Sequence, residues 1–222
     1  LPEVIKKYDI EKYPFHSSIF SLYEQQGASC LEELHKILPT EHEYDIVNVD
    51  NDNETWFHKI FYDRLNNGWQ QFIELYQRFV NVEVARIMGH KDFLFQKKPT
   101  FRVQIPNNKS VGEFHRDYDY NHQLGEINFV IPFTEMKDGS SIWTESVPGL
   151  GDYHPIEAGR GDIIIFNGNT CTHGNKINNT GITRVSMDFR ILPKKYYNPD
   201  FCKSSTSKSI PMVVGGYYSE AG

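Results

Sequence analysis

Apolar positions follow two different periods along this chain. From about residue 54 to residue 88 they recur every three or four residues. Trp69, Phe72, Ile73, Tyr76, Val80, Val84 and Ile87 fall on one stripe, which predicts a helix with one buried face. Asn67-Gly68 is placed to break this stretch. Gly89 is placed to end it, because glycine accepts the left-handed backbone of a helix exit. A shorter helix is expected through Leu31, Leu34 and Ile37, stopping before Pro39. It is opened by Ser29-Cys-Leu-Glu32, a capping-box spacing in which the two side chains take up free N–H groups at a helix start. Residues 42–54, rich in Asn and Asp, read as a loop.

After Pro99 the period shortens to two. The runs 100–105, 126–134, 141–147, 161–166 and 183–192 read as strands, separated by turn signals such as Pro106-Asn-Asn, Asp138-Gly139 and Pro148-Gly149. The expectation is an α+β chain forming a single domain. It has a helical N-terminal region over residues 1–98, packed on a β-sandwich or barrel core over 99–193. The tail, 194–222, has no clear period and is read as a lid, a partner-binding tail or a disordered segment. No internal repeat is present.

Composition narrows the function classes. Of 222 residues, 39% are hydrophobic and 23% charged, which excludes both a disordered chain and a membrane span. A net charge of −6 argues against sequence-independent nucleic-acid binding, which needs a broad basic face. Cys30, Cys171 and Cys202 have neither the number nor the spacing of a disulfide framework or a thiolate zinc site. No apolar run follows Lys6 and Lys7, so no secretion leader is read and a cytoplasmic location is expected. The Asn-x-Ser/Thr triplets at 53, 108 and 178 are therefore read as chance.

The chemistry is concentrated in His115-Arg-Asp117 and His173. In an extended segment residues i and i+2 point to the same side, so His115 and Asp117 can bind one ion together. A second histidine from another strand, His173, completes two imidazoles and one carboxylate. This facial set suits non-haem Fe(II) and leaves positions open for other ligands. Arg184-Val-Ser186 follows eleven residues after His173. Its guanidinium and hydroxyl share a face and make a grip for a carboxylate. Two decoys are set aside. The kinase loop that His115-Arg-Asp117 echoes requires Asn where His122 stands, and Arg160-Gly-Asp162 opens a buried strand.

Taken together, these motifs resemble the Fe(II)- and 2-oxoglutarate-dependent oxygenases of the phytanoyl-CoA-hydroxylase-like type. The runs Phe114 to Tyr120, Gly125 to Thr134 and Ser141 to Glu145 are similar to the streptomycin-biosynthesis StrG-like oxygenases. The resemblance covers about residues 100–192. It implies a double-stranded β-helix (a cupin-like jelly roll) with His115, Asp117 and His173 as metal ligands. It also implies Fe(II), 2-oxoglutarate and O2 as cofactor and cosubstrates. Arg184 and Ser186 would hold the distal carboxylate of 2-oxoglutarate, with Asn128 and Gln104 as further contacts. Oxidation of a small natural-product or sugar-like molecule, with release of succinate and CO2, is the implied reaction. A carboxylate at Asp117 favours oxygenation over halogenation. Trp143 and Glu145, which share a strand face, are expected to line the substrate pocket, with Arg116 and Tyr118 at its rim. Arg102 and Arg160 are alternatives for anchoring an acidic substrate group. The competing readings are a cupin-type metalloenzyme that does not use 2-oxoglutarate, a protein hydroxylase, and a non-catalytic jelly-roll binding module. No membrane or nucleic-acid partner is expected, and the oligomeric state is left open.

Overall fold

The computed structural model describes residues 3–39, 55–109, 113–206 and 209–222. The loop expected over 42–54 lies outside them. The chain builds a mixed fold of helices and antiparallel strands. The helices are α1 (Phe15–Glu24), α2 (Trp56–Asn66) and α3 (Gln70–Arg78). The strands are β1 (Val4–Lys7), β2 (Phe93–Gln96), β3 (Thr100–Gln104), β4 (Ile127–Pro132), β5 (Ile142–Thr144), β6 (His154–Ile156), β7 (Asp162–Phe166), β8 (His173–Asn175), β9 (Arg184–Pro193) and β10 (Tyr218–Glu220). Seven strands form one sheet in the order β1-β7-β4-β9-β2-β10, with β3 also paired to β9; the other three form a sheet in the order β6-β5-β8. Strands β2 and β3 are one interrupted strand, since both run antiparallel to β9 in sequence, Phe93 opposite Pro193 and Gln104 opposite Arg184. The interruption is Lys97-Lys98-Pro99, where proline lacks the N–H a ladder needs.

Side-chain alternation assigns the two faces of the large sheet. Val185, Met187, Phe189 and Ile191 on β9, with Phe129 and Ile131 on β4 and Ile163 and Ile165 on β7, join the helices in the main core. The helices supply aromatic residues to this core. Phe61 stacks on Phe101 with ring centroids 4.4 Å apart, and Tyr76 meets Phe189 edge-on at 5.4 Å. The opposite face of the large sheet packs on the small sheet through Val130, Ile164, Phe166, Ile156 and Ile142. The remaining residues on that face are polar, and they form the site.

The helical stretch expected before Met88 is present, broken at Asn67-Gly68 (Gly68 φ +91°). After Arg78 it continues through a π-helical stretch, Phe79–Val84, and a last α turn, Ala85–Met88, ending at Gly89 with φ +76°. Three expectations need correction. The capping box does not form: Cys30 occupies the cap position, the turn over Leu31–Ile37 is a 3-10 helix, and the Ser29 hydroxyl donates to Glu33 at 2.8 Å. Residues before 99 are not purely helical, because they supply β1 and β2 to the large sheet. The C-terminal segment is not a loose tail. Its β10 pairs with β2, and Met212 and Tyr218 bury against Leu94 and Leu192. Among the described residues no helix is long and apolar enough to cross a membrane.

Candidate metal centre and active site

An isolated antiparallel bridge between His115 and His173 creates the centre; each backbone N–H donates to the other's carbonyl at 2.9 Å. Arg116 is extended (φ −110°, ψ 138°), so Asp117 returns to the side of His115 before a 3-10 turn begins. The Oδ1 of Asp117 lies 3.6 Å from His115 Nε2 and 3.7 Å from His173 Nε2. The backbone sets both imidazoles. His115 Nδ1 lies 3.0 Å from the Glu113 carbonyl and His173 Nδ1 lies 3.2 Å from the Cys171 carbonyl. With Nδ1–H donating to those carbonyls, both Nε2 lone pairs face Asp117, the arrangement that orients metal-ligating histidines.

The other carboxylate oxygen of Asp117 is fully engaged. Its Oδ2 accepts from Asn128 Nδ2 at 2.7 Å and from Arg190 Nε at 3.1 Å. Arg190 also donates to Asp188, which in turn accepts from Arg102 Nε at 2.9 Å. Burial by itself would raise the Asp117 carboxyl. The Arg190 guanidinium, the largest opposing influence, overrides it and holds the group well below the usual carboxylate range. Burial pushes His173 down to about 4, against a smaller upward pull from Asp117. The centre therefore presents Asp117 as a carboxylate and His173 as a neutral imidazole, with the imidazole of His115 beside them. That is the donor set of a first-row dication, with all three ligand atoms within 4.8 Å of one another.

The same cavity is lined by Arg184, Ser186 and Asn128. Arg184 is only 2% exposed and donates to Asn175 Oδ1 at 3.2 Å. The Ser186 hydroxyl and the Asn128 Oδ1 are buried without a hydrogen-bond partner among the described residues. Buried polar atoms are normally satisfied, so this pair marks a place where a polar ligand completes the bonding. Gln104 sits opposite Arg184 in the sheet, but its amide donates to the Asn108 carbonyl at 3.1 Å and the Lys176 carbonyl at 2.7 Å. It braces two loops and does not line the cavity.

None of the residues expected to line a substrate pocket lines this cavity; Trp143 lines a neighbouring space of about 640 Å³ that shares Asn175 with it. In the register of β5 against β8, Thr144 is opposite His173 and Ile142 opposite Asn175, so Ile142 and Thr144 face the centre. Trp143 is opposite Gly174 on the outer face, where Lys176 Nζ sits 3.1 Å from its ring centroid. Glu145 is buried as a loop organiser, accepting from the N–H groups of Thr172 (2.7 Å), Gly151 (3.0 Å) and Gly149 (3.2 Å). Arg116 pairs with Asp119 at the surface, and Tyr118 is 54% exposed. Sequence reasoning missed Asp188 and Arg190. They continue the parity of Arg184 and Ser186 along β9, and two charges inside a strand of buried residues were the available signal. It also missed the pair next to Asp117, in which His122 Nδ1 lies 2.7 Å from Glu126 and Glu126 accepts from the Tyr218 hydroxyl.

Fold and site together define a two-sheet antiparallel protein with a buried centre suited to a divalent metal. The chain belongs to the family of the streptomycin biosynthesis protein StrG. It is 34% identical to StrG of Streptomyces griseus over 173 residues, which cover 78% of this chain and 80% of StrG. No family model matches the chain. Similar solved structures include the nickel complex of the non-heme monooxygenase ThoJ (11% identity, TM-score 0.47, covering 87% of this chain and 72% of that one). Another is CytC3 with Fe(II) and alpha-ketoglutarate (13% identity, TM-score 0.49, covering 100% and 92%). A third is the alpha-ketoglutarate-dependent carbocyclase SnoK from nogalamycin biosynthesis (11% identity, TM-score 0.47, covering 86% and 79%).

Proposed function

We propose that this protein is a non-haem Fe(II)- and 2-oxoglutarate-dependent oxygenase with a jelly-roll core, acting on a small molecule. The observation that carries this reading is the meeting, in one cavity, of His115 and His173, grouped with Asp117, with Arg184 and the unsatisfied Ser186 and Asn128 atoms. His115, Asp117 and His173 would hold the iron. Arg184 and Ser186 would bind the distal carboxylate of 2-oxoglutarate, the guanidinium supplying charge and the hydroxyl one further donor. Asn128 serves both partners: its Nδ2 fixes the Asp117 carboxylate, and its free Oδ1 faces the cavity. When bound, iron and 2-oxoglutarate supply the oxidising power, with succinate and CO2 as coproducts. Arg190, held by Asp188, keeps Asp117 ionised and fixes its rotamer. The enclosing walls of Val130, Ile142 and Phe166 exclude water from the reacting volume. Kinship with a streptomycin biosynthesis protein supports a natural-product or sugar-like substrate.

The test is an anaerobic titration of metal-free protein with Fe(II) and then 2-oxoglutarate, following the visible charge-transfer band. A band that requires both additions, vanishes in His115→Ala and weakens in Arg184→Ala is expected. Folded, metal-loaded protein that gives no band would overturn the 2-oxoglutarate reading in favour of a cupin-type metalloenzyme.

A further inference from the structure

A second cleft adjoins the metal cavity. It opens between the Lys97-Lys98-Pro99 interruption and the returning C-terminal segment at Gly215–Tyr217, and has a volume of about 660 Å³. That is room for a ligand of sugar size or larger, since small-molecule sites run from about 300 to 1,000 Å³. Arg102 and Arg190 stand in the walls of both spaces, so the cleft and the metal cavity share one wall.

The charge of this cleft is one-sided. Among the described residues its walls carry Lys97, Lys98, Arg102 and Arg190 and no carboxylate, in a chain of net charge −6. The two arginines are already matched: Arg102 by Asp188, and Arg190 by Asp188 and Asp117. The lysines are not matched. Lys98 Nζ donates only to the neutral Asn66 amide oxygen, at 2.7 Å, and Lys97 Nζ has no hydrogen bond or ion pair among the described residues. Arg190 is 7% exposed and uses Nε and Nη1 on the two aspartates, which leaves Nη2 without a partner among the described residues. Two ammonium groups at the exposed rim, without a carboxylate partner, and one spare donor of the buried Arg190 around a ligand-sized space are a receptor for an anion.

We propose that this cleft binds the substrate, and that the substrate is a polar small molecule bearing an anionic group, phosphate or carboxylate, held by Lys97, Lys98 and Arg190 Nη2. Naming the ligand as the substrate rests on the oxygenase reading; the anion site does not.

The test uses the full chain without metal and follows thermal stabilisation by inorganic phosphate and by acetate, each against sodium chloride of matched ionic strength. A saturable response to at least one anion beyond the salt control is expected. In Lys97→Ala/Lys98→Ala the apparent affinity should fall about tenfold or more, as loss of charge-assisted contacts predicts. Response to phosphate alone assigns a phosphoester, and response to acetate alone assigns a carboxylate. Arg184 is intact in the double variant, so anion binding in the metal cavity would not be lost with the lysines. No saturable response to either anion, or an unchanged response in the double variant, overturns the proposal. The Fe(II)/2-oxoglutarate band separates the two failures. A band without an anion response sinks the cleft assignment alone, and an anion response without a band sinks the oxygenase reading alone.

Discussion

Arg190→Met is the substitution that bears most directly on how the centre is held. The side chain is 7% exposed and bridges two carboxylates that are themselves buried, Asp117 at 2% and Asp188 at 8% exposure. Methionine fills similar volume without charge. Removing one partner of a buried ion pair typically costs about 3–5 kcal/mol, because the remaining charge has lost both water and partner. Here each aspartate keeps a donor, Asp188 that of Arg102 at 2.9 Å and Asp117 that of Asn128 at 2.7 Å. The loss should therefore fall at the lower end, about 3 kcal/mol, which for a chain of this length lowers Tm by about 6–12 °C. The assay is urea unfolding of the metal-free chain in EDTA at neutral pH, read by circular dichroism and tryptophan fluorescence. Adding Asp188→Asn to Arg190→Met removes one of the stranded charges. The double variant should be more stable than the sum of the single losses by about 1 kcal/mol or more. A single-variant loss below about 1 kcal/mol, with an unchanged m-value and no coupling to Asp188, would show that this network does not hold Asp117 and would refute the reasoning.

Three further outcomes follow from particular contacts. An added Cβ at Gly174 would lie 2.9 Å from Phe114 Cδ2 and 3.1 Å from its Cα, so Gly174→Ala must displace the segment carrying His115. Nickel binding should weaken about tenfold or more by calorimetric titration, and equal affinity would contradict the packing argument. Glu145→Gln weakens three charge-assisted acceptor contacts at once. It should cost about 1–3 kcal/mol and speed hydrogen exchange at Gly149, Gly151 and Thr172, and unchanged exchange there would count against it. The hydrogen bond to Glu3, at 2.7 Å, raises His154 above its ordinary value and ties the N-terminal segment to β6. A raised folded pKa gives stability that is complete below the unfolded value of about 6.5 and lost as pH rises through the folded one. The stability gap between wild type and His154→Gln should thus be largest at acid pH and close by about pH 8.5; a gap that does not narrow would rule the contact out.

What could be read from the sequence divides along physical lines. Strands β3, β4, β7 and β9, of five to ten residues, were legible from their β-branched and aromatic content between turn signals, whereas of the run 141–147 only the three-residue β5 forms. Strands β1, β6, β8 and β10 have three or four residues each, too few to show a period, and β2 is buried on both faces, so Phe93-Leu-Phe-Gln does not alternate. The C-terminal segment looked unstructured because its ordering is non-local: Tyr218 reaches Glu126, and Gln123 donates to the Met212 carbonyl at 2.7 Å. His115, Asp117 and His173 were legible because ligation demands those residue types and i,i+2 spacing. The face of Trp143 and Glu145 was not. Parity shows that two residues share a side, but only the pairing of Thr144 with His173 shows which side is inward.

Strand β9 shows why the site is where it is. Its odd-numbered residues, Val185 to Ile191, are buried hydrophobics of the main core, so its register cannot slip without exposing them. That constraint fixes the even-numbered face, where Arg184, Ser186, Asp188 and Arg190 follow one another into the space between the sheets. Four polar residues in succession on a buried face are costly unless each finds a partner. Asp188 and Arg190 find theirs within the fold, in Arg102 and Asp117, and these contacts hold the Asp117 carboxylate in place beside His115 and His173. The Ser186 hydroxyl finds none among the described residues, and neither does the Asn128 Oδ1 across the same cavity. One end of the strand's polar face is therefore built for stability of the centre and the other for a ligand. A ligand that satisfies Ser186 and Asn128 should stabilise the folded chain by RT ln(1 + [L]/Kd), which couples binding at this cavity to the strand that organises the core.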